Sequence, residues 1–336
     1  MAYIHVKRIG EKKYYTLRIS VRKGNKVLTK DIANLGSDIS KIKIEDLEKK
    51  HGKEIRKSYV IINKFLNTNY YLDKINKSKF KKDSYLSKEQ LIEVEAIKLH
   101  FNSKFLKQNE LTQKQAYGNF ILNFSVNSTS IEGNTITLKE AGRLFRENIV
   151  PKNKDLREVH DLTNTKKTLE FLEGKKTKIT LKFIEEIHDM LLDNIDDRKG
   201  IRTHDIRILG QPFKPSPARY IKSDMELLLR WYEENKEKIH PLALATFFHH
   251  KFENIHPFSD GNGRTGRVLI NYILSLKKYP PLIISRKFRK EYLNAINKAD
   301  KSIKKSLIEI DMVHYKDLIK FIVSQFKLSY WDIFLI

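Results

Sequence analysis

The sequence predicts a mainly helical protein with a small β-rich segment at its front. Apolar residues recur at helical spacing from Lys88 onward. Strict alternation of apolar and polar residues is confined to the first 40 positions. A proline-rich stretch over 206–221 is where the helical pattern breaks.

Taken in order, Tyr15, Leu17, Ile19 and Val21 alternate with Thr16, Arg18, Ser20 and Arg22, the period of a half-buried strand. Lys23-Gly24-Asn25 supplies a turn, 26–35 a returning strand closed by Gly36, and 2–9 a candidate third strand. An isolated hairpin is marginal, so such a meander needs cover, and the helical stretch 44–71 is placed to supply it. Helices are expected next over 88–107 and 116–126, then over 138–149, stopped by Pro151, and 155–173, stopped by Gly174. Further helices are expected over 180–194, with Thr180 as cap, 223–235, and 241–254, with Pro241 in the first turn. Pro212, Pro215 and Pro217 keep 206–221 extended. The expected organisation is a β-rich accessory segment (1–40), a helical connector (41–87), a main helical domain (88–300) and a helical tail (301–336).

Composition narrows the classes. A chain of 336 residues can bury a good core and carry one or two small accessory domains. It has no cysteine, which excludes disulfides, thiolate zinc sites and a cysteine nucleophile. No apolar run is long enough to span a membrane and the first 15 residues are polar, so a cytoplasmic protein without a membrane partner is expected. The net charge of +24, from 65 basic and 41 acidic residues, raises nucleic acid as a partner. The excess is spread along the chain as lysine, so nucleic acid is not favoured, and the lysines of the N-terminal strands read as guards of exposed edges.

Twelve residues carry the chemistry: His256-Pro257-Phe258-Ser259-Asp260-Gly261-Asn262-Gly263-Arg264-Thr265-Gly266-Arg267. Gly261-Asn262-Gly263 can adopt positive φ, so its N–H groups can curl into an anion nest. Val268, Leu269, Ile270, Ile273, Leu274 and Leu276 mark a buried helix starting near Gly263, whose N-terminus adds free N–H groups and partial positive charge. Arg264 and Arg267, three apart, are expected on one face beside the nest. Asp260 is the one acid in the motif and suits Mg²⁺ beside phosphates. His256, at the mouth, suits the acceptance of a proton from a hydroxyl nucleophile.

His-Pro-Phe-x-Asp-Gly-Asn-Gly-Arg-x-x-Arg resembles the signature of Fic-domain proteins, with every defining position present. Ser128-Thr129-Ser130-Ile131-Glu132-Gly133-Asn134 looks like that family's inhibitory segment. Gly200-Ile201-Arg202 and the run from Ile208 to Pro217 look like its flap, a short β-hairpin, and Glu291-Tyr292-Leu293-Asn294-Ala295 resembles the segment lining the adenine side. The resemblance covers about residues 115–300. It implies a Fic-like helical bundle that transfers AMP from ATP to a Ser, Thr or Tyr hydroxyl of a protein. It further implies His256 as base, Asp260 as Mg²⁺ ligand, and Phe258 as the buried anchor of the loop. Gly261, Asn262, Gly263, Arg264, Thr265, Gly266 and Arg267 would then contact the nucleotide, with Gly210 and Gln211 from the flap and Tyr292 stacking on adenine. The protein target would dock on flap 206–221 by strand addition. Ser128, Glu132 and Gly133 would be inhibitory, with the Glu132 carboxylate held against Arg267 where the γ-phosphate belongs, a plausible competition because a carboxylate mimics a phosphate edge. In some relatives the same Glu supports removal of AMP.

Other readings stand beside these. Glu132-Gly133-Asn134 also fits an ordinary helix C-terminus. Tyr292 also fits an interior tyrosine, and Leu293 departs from the aromatic usual at the next position. His249 is expected inside and His250 at the surface, since their spacing fits no metal pair. The apolar tail from Tyr330 to Ile336 is expected to dock on the body or on a second subunit, which leaves a homodimer open. A protein that senses ATP and contacts nucleic acid or a partner through its basic N-terminal segment is the alternative from a different class.

Overall fold

The computed structural model describes residues 1–79, 82–207, 214–303 and 306–335. Strands β1 (Ala2–Ile9), β2 (Lys12–Lys23) and β3 (Lys26–Gly36) form an antiparallel meander in the order β1-β2-β3. Two helices, α1 (Ile44–Ile55) and α2 (Tyr59–Asn76), lie against one face of it. Alternation explains which face. Ala2 and Ile4 of β1 sit opposite Ile19 and Leu17 of β2, and with Tyr15 they meet Leu47, Ile62 and Leu66. The third strand and the covering helices were expected, and both are present.

A larger core belongs to the helices that follow: α3 (Lys88–Ser103), α4 (Glu110–Ile131), α5 (Leu138–Glu147), α6 (Leu156–Leu172), α7 (Leu181–Leu191), α8 (Ile221–Asn235), α9 (Pro241–Ile255), α10 (Asn262–Leu276), α11 (Arg289–Ile303) and α12 (Met312–Ile333). Their starts are written locally. Ser87 with Gln90 and Thr137 with Glu140 form reciprocal capping boxes, Thr180 caps α7, and Pro241 opens α9. Helix α5 ends earlier than expected. Asn148 turns left-handed at φ 55°, so the helix stops at Glu147 rather than at Ile149.

Helices α9 and α10 pack against each other through the middle of this core, and nearly every side chain on both is buried. The loop joining them, 256–261, therefore stands on two almost wholly buried helices. Helix α12 packs on α11, α3 and α9, and the apolar tail docks on the body. Phe334 is fully buried, its ring 5.1 Å from that of Phe105 and 5.6 Å from that of Tyr117. Among its described residues the 206–221 stretch contains a single helical turn at Ala218–Tyr220, which leads into α8 at Ile221, and the centre of the expected hairpin, 208–213, lies outside them.

Phe334→Ala is expected to lower unfolding stability by about 3–5 kcal/mol in urea denaturation, because it opens a cavity among five aromatic rings. Val313→Ala, at a side chain 82% exposed, is expected to stay within about 0.5 kcal/mol of the parent.

Candidate active site

Helix α9 ends at His256, whose backbone is left-handed at φ 53° and whose N–H still reaches the Phe252 carbonyl at 2.9 Å. The chain then turns so sharply that Gly261 needs φ 75°, and a Cβ there would overlap the Leu192 side chain. Asn262 closes the turn with both ends of its amide. Its Oδ1 accepts from the Phe258 N–H at 3.0 Å and its Nδ2 donates to the Phe258 carbonyl at 2.8 Å. Phe258 is fully buried and stacks on His188, ring centroids 3.8 Å apart. The first turn of α10 begins at Asn262, so the free N–H groups of that turn open beside the loop.

His256 sits with its Nδ1 3.2 Å from the Glu253 carbonyl. A carbonyl can only accept, so Nδ1 carries the proton in the neutral ring and Nε2 keeps a lone pair. Burial pushes the imidazole down to about 4, against the opposing pull of the Glu253 carbonyl, so the ring is neutral near pH 7. Asp260 is the converse case. Burial would raise its carboxyl, but Arg264, the Gly261 N–H and Arg157 outweigh it and hold it below the usual carboxylate range. Asp260 Oδ1 accepts from Gly261 N at 2.6 Å, Arg157 pairs with Oδ2, and Arg264 lies 3.5 Å from Oδ1.

The two motif arginines diverge. Three residues on a helix leave them about 60° apart, and each is drawn to a different neighbour. Arg264 is buried against Asp161 of α6. Arg267 is buried against the end of α4. Its Nε donates to Ser128 Oγ at 2.9 Å, and one terminal nitrogen donates to the Ser128 carbonyl at 2.9 Å and to Glu132 Oε1 at 2.8 Å. Burial alone would weaken the guanidinium's hold on its proton, but Glu132, Tyr292 and Glu253 reverse that and raise its pKa. Glu132 is the C-cap residue of α4 and Gly133 follows at φ 110°, so the helix stop aims the carboxylate. That carboxylate covers Gly263, where a Cβ would overlap it and would come within 2.9 Å of Arg267.

Two expectations about openness are corrected. Tyr292 is enclosed, with its hydroxyl 2.6 Å from His249 Nε2 and its ring stacked on that imidazole, so it is not a ring open for stacking. His250 is fully buried rather than at the surface, because Tyr315 and Asp300 take both its nitrogens, at 2.8 and 2.9 Å. Thr265 and Gly266 are also interior; Gly266 faces α9, where a Cβ would come within 2.7 Å of Glu253 and His249. Gly210 and Gln211 lie outside the described residues.

Arg202, read in the sequence only as part of the flap, and three residues without a place in that reading hold the loop. Arg202, only 4% exposed, donates from Nε to the His256 carbonyl at 2.8 Å and from its terminal nitrogens to the carbonyls of His204 and Ser216. It ties the loop to both roots of the 206–217 stretch. His188 Nε2 lies 3.1 Å from the Asp260 carbonyl. Arg157 and Asp161, one turn apart on α6, answer Asp260 and Arg264. The one sequence signal was their i, i+4 spacing, which by itself reads as an ordinary helical ion pair.

Residues 178–274 match the Fic/DOC family. Protein adenylyltransferase Fic of Drosophila persimilis is 35% identical over 133 residues, 38% of this chain and 25% of that protein. The protein of the same name from Culex quinquefasciatus is 35% identical over 135 residues, 38% of this chain and 26% of that one. The match thus spans about a quarter of the length of these relatives. A Fic domain containing signaling protein from Bacteroides thetaiotaomicron superposes with a TM-score of 0.65 at 22% identity, covering 70% of this chain and 93% of that one. Fic-1 from C. elegans gives 0.59 at 20% identity, covering 85% and 83%. The fold is Fic-like, and the chain carries a Fic/DOC-family segment distantly homologous to protein adenylyltransferase Fic.

The His256 ring resonances are expected to titrate near pH 4 in NMR, leaving the ring neutral through pH 5.5–8. The folded value lies below the ordinary one. The stabilisation from a neutral ring is therefore complete above about pH 6.5 and lost as pH falls through about 4. A midpoint near 6.5 would mean that the ring is solvated.

Proposed function

We propose that this protein is an adenylyltransferase that moves AMP from ATP to a hydroxyl of a protein target, and that Glu132 keeps it quiet. The observation that carries the catalytic part is the 3.2 Å contact of His256 Nδ1 with the Glu253 carbonyl, which assigns the Nδ1–H tautomer. With Nδ1–H tied to the Glu253 carbonyl, the free Nε2 lone pair stands at the mouth of the loop. There it takes the proton of the attacking hydroxyl. The hydroxyl oxygen bonds to the α-phosphorus, the bond to the β-phosphate oxygen breaks, and pyrophosphate leaves with the electron pair.

The low basicity of the resting ring suits this order of events. Phosphates seated beside His256 stabilise the imidazolium and raise its pKa toward the working pH, so the base strengthens when substrate is bound. The α10 N-terminus supplies fixed N–H donors for the developing charge, at little reorganisation cost, because Arg202, Asn262 and Phe258 hold the turn. Asp260 fits Mg²⁺, a cation commonly held by one or two carboxylates together with substrate phosphates. It is ionised, and its Arg157 partner is more than half exposed and free to swing away. When bound, the ion would neutralise phosphate charge. The protein target would dock on the 206–221 stretch, whose roots Arg202 ties to the loop.

Inhibition follows from occupancy. Glu132 takes the Arg267 edge and covers Gly263, the space an outer phosphate would need. In assays with α-labelled ATP and Mg²⁺, Glu132→Gly is expected to raise self-labelling by about tenfold or more, an effect of at least ~1.4 kcal/mol. His256→Ala in the same background is expected to abolish it. Equal labelling of the intact protein and the Glu132 variant would remove the brake; labelling that survives His256→Ala would remove the base.

A further inference from the structure

We propose that the outer face of the N-terminal sheet is a docking surface for duplex DNA. This rests on the sheet alone and is independent of the adenylyltransferase reading. With one face covered by α1 and α2, alternation sends Lys12, Tyr14, Thr16, Arg18, Ser20 and Arg22 of β2 to the open side. Every member of that row carries a hydrogen-bond donor, and none is acidic. Residues 1–36 hold nine lysines and arginines against two acids, Glu11 and Asp31. Asp31 pairs with Arg18, which leaves Lys12 and Arg22 exposed at the two ends of the row.

Guarding of strand edges does not account for these charges. In the order β1-β2-β3 the row lies on the central strand, which has no free edge.

The dimensions and chemistry favour a B-form duplex among polyanions. At ~3.4 Å per residue the row from Lys12 to Arg22 spans about 34 Å, close to one turn of B-DNA. β-Ribbons enter the wide major groove of DNA, whereas the major groove of an RNA duplex is too deep and narrow. A single strand would call for a platform of open aromatic rings. Here Tyr3 and Tyr14 are both partly buried. Exposed Ile9 beside Lys12 and Val27 beside Arg22 place an aliphatic group next to each terminal cation, where thymine methyls and deoxyribose offer apolar contact.

Fluorescence anisotropy of the full chain with a labelled duplex of about two helical turns tests this. Saturable binding at low salt is expected. Lys12→Glu/Arg22→Glu is expected to weaken it at least about tenfold, and Lys12→Gln/Arg22→Gln to reduce the slope of log affinity against log salt by about 2. Lys139→Glu/Lys238→Glu, the same charge change at exposed sites outside the sheet, is expected to retain binding to within about threefold. Circular dichroism checks that each variant is folded. Absence of duplex binding, equal weakening by both Glu pairs, or tighter binding to single-stranded DNA, duplex RNA or phosphatidylserine vesicles would overturn the proposal.

Discussion

A guanidinium buried at the start of a central helix has to be neutralised, and the molecule is arranged around how that is done. Arg267 is 3% exposed and reaches no solvent to speak of. An uncompensated charge there would cost several kcal/mol. Ser128 and the α4 carbonyl take some of its donors, and the Glu132 carboxylate supplies the opposite charge. The same demand can be met by any anion that fits the edge. In our account a carboxylate meets it at rest and a phosphate meets it in the working state, so one arginine serves as latch and as substrate clamp. The partners share the burden unequally. Arg267 is enclosed, whereas the Glu132 side chain is 44% exposed. It is the carboxylate that can leave.

The loop in front of this pair is stiff for reasons that can be followed residue by residue. Gly261 is pressed onto Leu192, Asn262 bridges both backbone atoms of Phe258, Phe258 lies on His188, and Arg202 holds the His256 carbonyl. Each contact comes from a different element, so the turn is set by the whole bundle rather than by the motif alone. A nest of N–H groups is useful to a phosphate only if it does not have to be assembled at each turnover. Arg202 adds a mechanical link, because it also holds the carbonyls of His204 and Ser216 at the roots of the neighbouring stretch.

Much of the framework was legible because it is written in short range. Alternation over β2 and the turn at Lys23-Gly24-Asn25 identified the meander, and cap residues such as Thr137 and Thr180 located helix starts closely. The helix after the motif was expected near Gly263 and begins at Asn262. Ends were harder. Nothing in the sequence demanded that Asn148 turn left-handed and stop α5 ahead of Ile149. The partners that tune the site were hidden for a different reason. Asp161 meets Arg264, Arg157 meets Asp260 and Arg202 meets His256 across long loops, and no local pattern reports a contact between distant segments. His250 misled in the same way. A histidine beside a motif looked exposed until Tyr315 and Asp300, far along the chain, were found to enclose it.

In the proposed brake, Glu132 and the outermost phosphate of ATP compete for one edge of Arg267. ADP lacks that phosphate, so the ratio of ATP to ADP affinity isolates the competition from general nucleotide binding. Calorimetry with Mg²⁺ on the intact protein and on Glu132→Gly measures it directly. Similar affinities for the two nucleotides are expected in the intact protein, and a preference for ATP of about tenfold in the variant, worth ~1.4 kcal/mol. A ratio that does not change when Glu132 is removed would contradict it.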